Sequence, residues 1–162
     1  MSEAAVFELI LLRHAHAEPP APAQHDRERP LSARGLEEAD AAADWLAEQP
    51  RPERVLYSPA RRTLQTAERV LQRLGQIEQV EEPRLYEAEL RDLLEAVDAH
   101  RAVGRLMLVG HNPGLESLVA LLSTGQSGDH RGMPPAGIAR LLLPATGAVE
   151  PGAARLIAFW SP

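Results

Sequence analysis

The stretch LILLRHAHAE, residues 9–18, runs four apolar residues straight into Arg13 and His14. With Phe7 and Glu8 ahead of it, FELILL (7–12) reads as a strand buried on both faces, because a short apolar run without alternation fits the middle of a parallel sheet. A cation and an imidazole directly after such a strand stand at its carboxyl end. That is the edge where open α/β sheets bind their ligands.

Apolar runs and helical periodicities alternate on the far side of this stretch. RVLYS (54–58), IEQVEE (77–82), RLMLVG (105–110), GIARLLLP (137–144) and AARLIAFW (153–160) are predicted strands. LSARGLEEADAAADWLAEQ (31–49) predicts a helix with Ser32 as its N-cap and acids in its first turns. PARRTLQTAERVLQRLG (59–75) predicts a helix closed by Gly75, with Leu64, Ala67, Val70, Leu71 and Leu74 on the apolar face. ELRDLLEAVDAH (89–100) and PGLESLVALLST (113–124) predict two more. The alternation implies a three-layer α/β fold with a mostly parallel central sheet and helices on both faces. No helix separates the last two strands, so one antiparallel strand is expected. The length suits a single domain over 1–162. The Pro-rich loop AEPPAPAQHDRERP (17–30) follows the Arg13–His14 segment and is expected to form a flap over the site.

Composition narrows the function classes. A net charge of −6 argues against a nucleic-acid partner, since backbone phosphates demand a basic face. All 17 basic residues are arginine, so arginine content alone says little and only arginines in special places count. Without cysteine there is no disulfide, thiolate nucleophile or thiolate-bound metal. The start, MSEAAVFELILL, is acidic where a signal peptide is basic, and no window approaches the ~20 apolar residues of a membrane span. A cytoplasmic location without a membrane partner is expected. No long apolar helix face is left over, so a monomer is preferred.

Three predicted strands end in conspicuous polar residues. The first delivers Arg13–His14, the second Ser58–Pro59 with Arg61 and Arg62 behind, and the third Gly110–His111–Asn112–Pro113. If these strands are parallel, the groups converge on one edge. Ser58–Pro59 and Asn112–Pro113 each read as a capping side chain before a proline at the first helical position, and a helix start is a ready anion site. Planar arginine forks suit phosphate oxygens. A pocket of Arg13, Arg62, His14 and His111 therefore reads as a receptor for a multiply charged anion, most simply phosphate. His25, His100 and His130 read as loop or helix-end residues without a role in the site.

Four pieces in this order, LLRHAHAE, RPLSARGLEEA (29–39), YSPARRTLQTAE (57–68) and VGHNPGLESL (109–118), resemble the histidine phosphatase superfamily. That family has the phosphoglycerate mutase-like fold, and the likeness is to its compact SixA-type phosphohistidine phosphatases. The resemblance covers almost the whole chain. It implies that His14 is the nucleophile that becomes phosphorylated, that Arg13 and Arg62 bind phosphate, and that His111 is the second histidine of the pocket. Arg61, one place before the pattern Arg62–Thr63–Leu64–Gln65–Thr66, is expected at the surface. Two departures stand out. The family's Arg-His-Gly triplet is here Arg13–His14–Ala15, and Ala15 would be strained if its φ were positive. The proton donor of larger relatives has only Glu87, in LYEAEL, as a local counterpart.

The implied chemistry is in-line attack by neutral His14 on phosphorus, with Arg13, Arg62 and a cationic His111 offsetting the charge, followed by hydrolysis of the phosphohistidine. No metal or cofactor is required. The favoured substrate is a phosphohistidine on a protein, since an imidazole leaves more easily than an alkoxide. Three alternatives stand beside it: a phosphatase for small phosphoesters, a non-catalytic phospho-ligand binder, and a metal-dependent hydrolase using His14, His16 and His111 with Asp26.

Overall fold

A computed structural model describes residues 5–129 and 132–162; His130 lies outside the described residues. Strands β1 (Val6–Arg13), β2 (Arg54–Tyr57), β3 (Glu78–Glu81), β4 (Arg105–Gly110), β5 (Ile138–Pro144) and β6 (Arg155–Trp160) form one sheet in the order β3-β2-β4-β1-β5-β6. β3, β2, β4 and β1 are mutually parallel; β5 runs against β1, and β6 against β5. β5 is thus the strand that opposes the others, as the sequence implies.

Alternation along the central strands sorts side chains to two cores. Phe7, Leu9 and Leu11 of β1, with Leu106 and Leu108 of β4, pack with helices α3 (Leu90–Ala99) and α4 (Gly114–Thr124). Ile10, Leu12, Met107 and Val109 face the other way, against α1 (Ala33–Ala47) and α2 (Arg61–Leu74). Both faces are apolar, which is why these strands show no period-2 pattern in sequence. Glu8, the acid inside FELILL, is 4% exposed and bonds Arg105 and Arg140 on the two flanking strands. A buried carboxylate is tolerated only when paired in this way. β3 at the sheet edge is exposed, which explains its weak apolar signal.

Ser32 caps α1, its Oγ accepting from Gly35 N at 3.0 Å. Gly35 is required there, because a Cβ would lie 1.9 Å from the carbonyl oxygen of His16. The first turn of α1 holds no acid, so the expected acids Glu37 and Glu38 sit beyond it, where the dipole is weak. Gly75 closes α2 with φ of 92°.

Two predicted helix starts are corrected. α2 begins at Arg61, after Ala60, and α4 at Gly114, after Pro113; neither has a side-chain cap at its N-cap residue. Pro59 and Pro113 therefore precede the helices and are not their first residues. The polar side chains have other partners: Ser58 Oγ meets His111 Nε2 at 2.7 Å, and Asn112 Nδ2 donates to Met133 O at 2.8 Å. Asn112 Oδ1 still reaches α4, accepting from Glu116 N one turn in, at 3.2 Å.

Candidate active site

The register of the parallel strands brings the three polar ends together. Arg13 pairs with Gly110, and Tyr57 with Val109, so the residues that follow emerge side by side. Backbone bonds extend the ladder past the strands, from His14 N to Gly110 O at 3.0 Å and from Ser58 N to Val109 O at 3.1 Å. His14 and His111 face each other, with ring centroids 5.3 Å apart and planes tilted by 59°.

His14 has a defined tautomer. Its Nδ1 lies 2.7 Å from Ala15 O, and a carbonyl only accepts, so Nδ1 carries the proton and Nε2 keeps a free lone pair. Burial pushes its pKa down to about 4, the Ala15 bond works against this, and Arg62, Arg13 and Arg29 add repulsion. His111 is pushed down to about 3 by burial first, then by His14 and Arg62. Both rings are neutral near pH 7. The cationic His111 expected beside a neutral His14 is therefore not the state of the anion-free protein, because the desolvation acting on one ring acts on both.

Ala15 is buried and is not among the described non-glycine residues with positive φ, so the alanine fits without strain. Its N–H donates to Thr66 Oγ1 at 3.1 Å, which ties the turn after His14 to α2. Arg13 sends Nη1 to Met133 O at 2.8 Å, while its buried Nε has no hydrogen-bond partner among the described residues. Arg62 is 7% exposed and reaches Asp26 through Nη1 to its carbonyl (2.8 Å) and Nη2 to its carboxylate (2.9 Å). Arg61 is exposed.

The loop of 17–30 folds back onto this edge through a 3-10 turn at Asp26–Glu28. Asp26 accepts from Arg62, from Arg29 Nη1 at 3.1 Å and from Tyr86 OH at 2.8 Å. Burial opposes its ionisation, but these hydrogen bonds outweigh it and hold the carboxyl far below the usual range. The Tyr86 ring meets His111 edge-on, with centroids 5.7 Å apart. Asp26 and Tyr86 were not legible as a pair, since only the folded loop joins them. Ser58 offered a signal, a polar residue at a strand end, that sequence reading spent on a helix cap.

Glu87 is exposed, with φ of 53°, and none of the described hydrogen bonds at the site involves it. His16 is tied to Ser32 Oγ through Nδ1 at 2.7 Å. Among the described residues no group of three or more His, Asp or Glu side chains is arranged to hold a metal ion, so His14, His16, His111 and Asp26 do not form the ligand set of the metal-dependent alternative. His25 is exposed and His100 bonds Arg54 Nη1 at 3.1 Å.

The arrangement gathers two neutral imidazoles and the guanidinium groups of Arg13 and Arg62 at one sheet edge, a set of groups with the chemistry to receive an oxyanion. The profile of the histidine phosphatase superfamily (branch 1) matches residues 9–102, and the chain belongs to that family of phosphatases. His111 falls outside the matched span and joins the site through the fold. An uncharacterized protein of Mycobacterium tuberculosis is 35% identical over 93% of this chain and 99% of its own length. A SixA from Agrobacterium tumefaciens, named as a phosphohistidine phosphatase, superposes with a TM-score of 0.84 at 32% identity, over 96% of this chain and 98% of that one. The protein histidine phosphatase SixA complexed with tungstate gives 0.81 at 26%, over 96% and 97%. Among the described residues no helix is long and apolar enough to cross a membrane.

Proposed function

We propose that this phosphatase removes the phosphoryl group from a phosphohistidine on a protein, with His14 as the transient acceptor. One observation carries the reading: His14 Nδ1 is committed to Ala15 O, leaving Nε2 as a neutral nucleophile on a ring that faces His111 and feels the charges of Arg62 and Arg13. Nε2 forms the new bond to phosphorus as the substrate's P–N bond breaks, and the leaving imidazole takes its proton from solvent. Phosphorylation at Nε2 makes the ring cationic, and the Nδ1–H···O=C bond strengthens as that charge develops. Water then attacks phosphorus, phosphate departs and neutral His14 returns.

Arg13 and Arg62 offset the charge on the equatorial oxygens, in a site partly withdrawn from water where such donors count most. His111 is neutral in the free protein and contributes a hydrogen bond there; a bound dianion raises the affinity of both rings for protons.

The choice of a phosphoramidate rests on the lack, among the described residues, of a carboxyl seen in position to protonate a leaving atom. Asp26, the carboxylate that grips Arg62, is held ionised by three donors and has no proton to give. Glu87 is turned to solvent in the free protein. A site of this kind serves an imidazole leaving group better than an alkoxide. The likeness to SixA proteins named as phosphohistidine phosphatases supports the same choice.

A substrate panel tests it: phosphohistidine protein, a sugar phosphate and an aryl phosphate, each with wild type and His14→Ala. Phosphohistidine turns over fastest, and wild type quenched in mid-reaction carries an acid-labile phosphoryl group that the variant lacks. Phosphate release by His14→Ala at the wild-type rate removes His14 from its role. A preference for the sugar phosphate moves the substrate to small phosphoesters, and binding without release makes the chain a phospho-ligand binder.

A further inference from the structure

Asp26 has no place in the chemistry above, yet it bonds Arg62, Arg29 and Tyr86 at once. We propose that Asp26 is a positioning residue: it grips Arg62 by one edge of the guanidinium and Tyr86 by its hydroxyl, so that the other edge of Arg62 and the ring of His111 are preset for the phosphoryl oxygens. This rests on the reading of the pocket as a phosphoryl site.

A guanidinium offers two forks, one from the pair of Nη atoms and one from Nε with its neighbouring Nη. Asp26 fills the first, its carbonyl taking Nη1 at 2.8 Å and its Oδ2 taking Nη2 at 2.9 Å. Among the described residues no acceptor meets Nε, so the second fork is left for an oxyanion. The grip is itself fixed, because the same carboxylate accepts from Arg29 and Tyr86. Tyr86 has partners of its own: the Arg27 guanidinium carbon lies 5.1 Å from its ring centroid, and its ring packs edge-to-face with His111, centroids 5.7 Å apart. Contacts therefore run unbroken from Arg62 through Asp26 and Tyr86 to His111, bracketing His14. The loop acts as a strap that holds the receptor in shape.

Charge alone makes the opposite demand. A carboxylate beside a dianion repels it, so an Asp26 that merely occupied Arg62 as a rival anion would weaken phosphate binding, and its removal would tighten it. Two neutral variants separate the effects. Asp26→Asn removes the charge and keeps a side-chain acceptor; Asp26→Ala removes both. Kd for inorganic phosphate and for tungstate is measured by calorimetry on the full chain, with kcat/KM for an aryl phosphate and the ring resonances of His111 by NMR without anion.

Positioning predicts that Asp26→Ala binds phosphate about tenfold more weakly than Asp26→Asn, the scale of one charge-assisted hydrogen bond. It predicts a parallel fall in kcat/KM, and a shift of the His111 signals in Ala that Asn largely avoids. Equal affinities in the two variants, or both binding more tightly than wild type with His111 unmoved, overturn the positioning role alone. Wild type that binds neither anion overturns the phosphoryl site itself, and the positioning role with it.

Discussion

His14 and His111 stand ring against ring, 5.3 Å apart, because β1 and β4 are neighbours in parallel register and each ends at the same height. The bond from His14 N to Gly110 O extends that register one residue beyond the strand. His14 is thus held by the backbone of its partner strand, and its position follows from sheet geometry more than from loop packing.

The two rings make stability depend on pH. Their pKa values are lowered from an ordinary 6.5 to about 4 and about 3, so between these limits the unfolded chain binds more protons than the folded one. The sign follows: stability is fully present above pH 6.5 and is lost as pH falls toward 4. By pH 5 each ring costs about 2 kcal/mol, with the pair titrating as a coupled unit. Urea unfolding at pH 7 and pH 5 measures this, and His111→Gln flattens the slope. An unchanged midpoint in wild type contradicts the buried, neutral pair.

Thr66 controls the turn that carries His14. Its fully buried hydroxyl accepts from Ala15 N, and the Ala15 carbonyl holds His14 Nδ1. Thr66→Val keeps the shape but strands a buried N–H, at a cost of about 1–3 kcal/mol. We expect kcat/KM to fall in Thr66→Val and to recover mostly in Thr66→Ser, which restores the acceptor. Equal losses in both variants place the effect in packing and not in the hydrogen bond.

Gly35→Ala tests the close approach of α1 to the strand end. The added Cβ meets the His16 carbonyl at 1.9 Å, and that carbonyl also accepts from Ser32 N and Ser32 Oγ. The clash cannot be relieved by a rotamer change because both partners are backbone. A loss of roughly 3 kcal/mol in chemical denaturation is expected, at the upper end of overpacking costs. A loss below 1 kcal/mol would show that the helix slides freely.

The strands, the helices and the meeting of Arg13, His14, Arg62 and His111 were readable because each rests on a local pattern: an apolar run, a helical period, a polar residue at a strand end. The same local logic misplaced the starts of α2 and α4. Ser58 and Asn112 look like caps, but in the fold their side chains serve His111 and Met133. Asp26 was visible only as a possible metal ligand, since its grip on Arg62 and Tyr86 exists only after 17–30 folds back. The neutrality of His111 in the anion-free protein was not readable for a related reason, as burial is a property of the assembled pocket. Spacing shows which residues meet; it does not show the solvent they lose.

Glu87 separates two views of the leaving group. Its φ of 53° places a non-glycine residue in the left-handed region, a conformation that costs on the order of 1 kcal/mol, and its side chain is exposed. A carboxyl acting as proton donor must come within hydrogen-bond reach of the leaving atom, and a swing of the 86–88 turn on substrate binding is one way to bring it there. An imidazole leaving group has no need of that swing. With its carboxyl exposed and out of reach of the leaving atom, Glu87→Gln is therefore expected to leave both phosphohistidine turnover and any residual rate on an alkyl phosphate within about twofold of wild type. Glu87→Gly provides the control for backbone strain, since it removes the carboxyl and relieves the turn together. If Glu87→Gln instead slows the alkyl phosphate by about tenfold or more and spares phosphohistidine, the carboxyl does reach the leaving atom, and the preference for phosphoramidates loses its chemical basis.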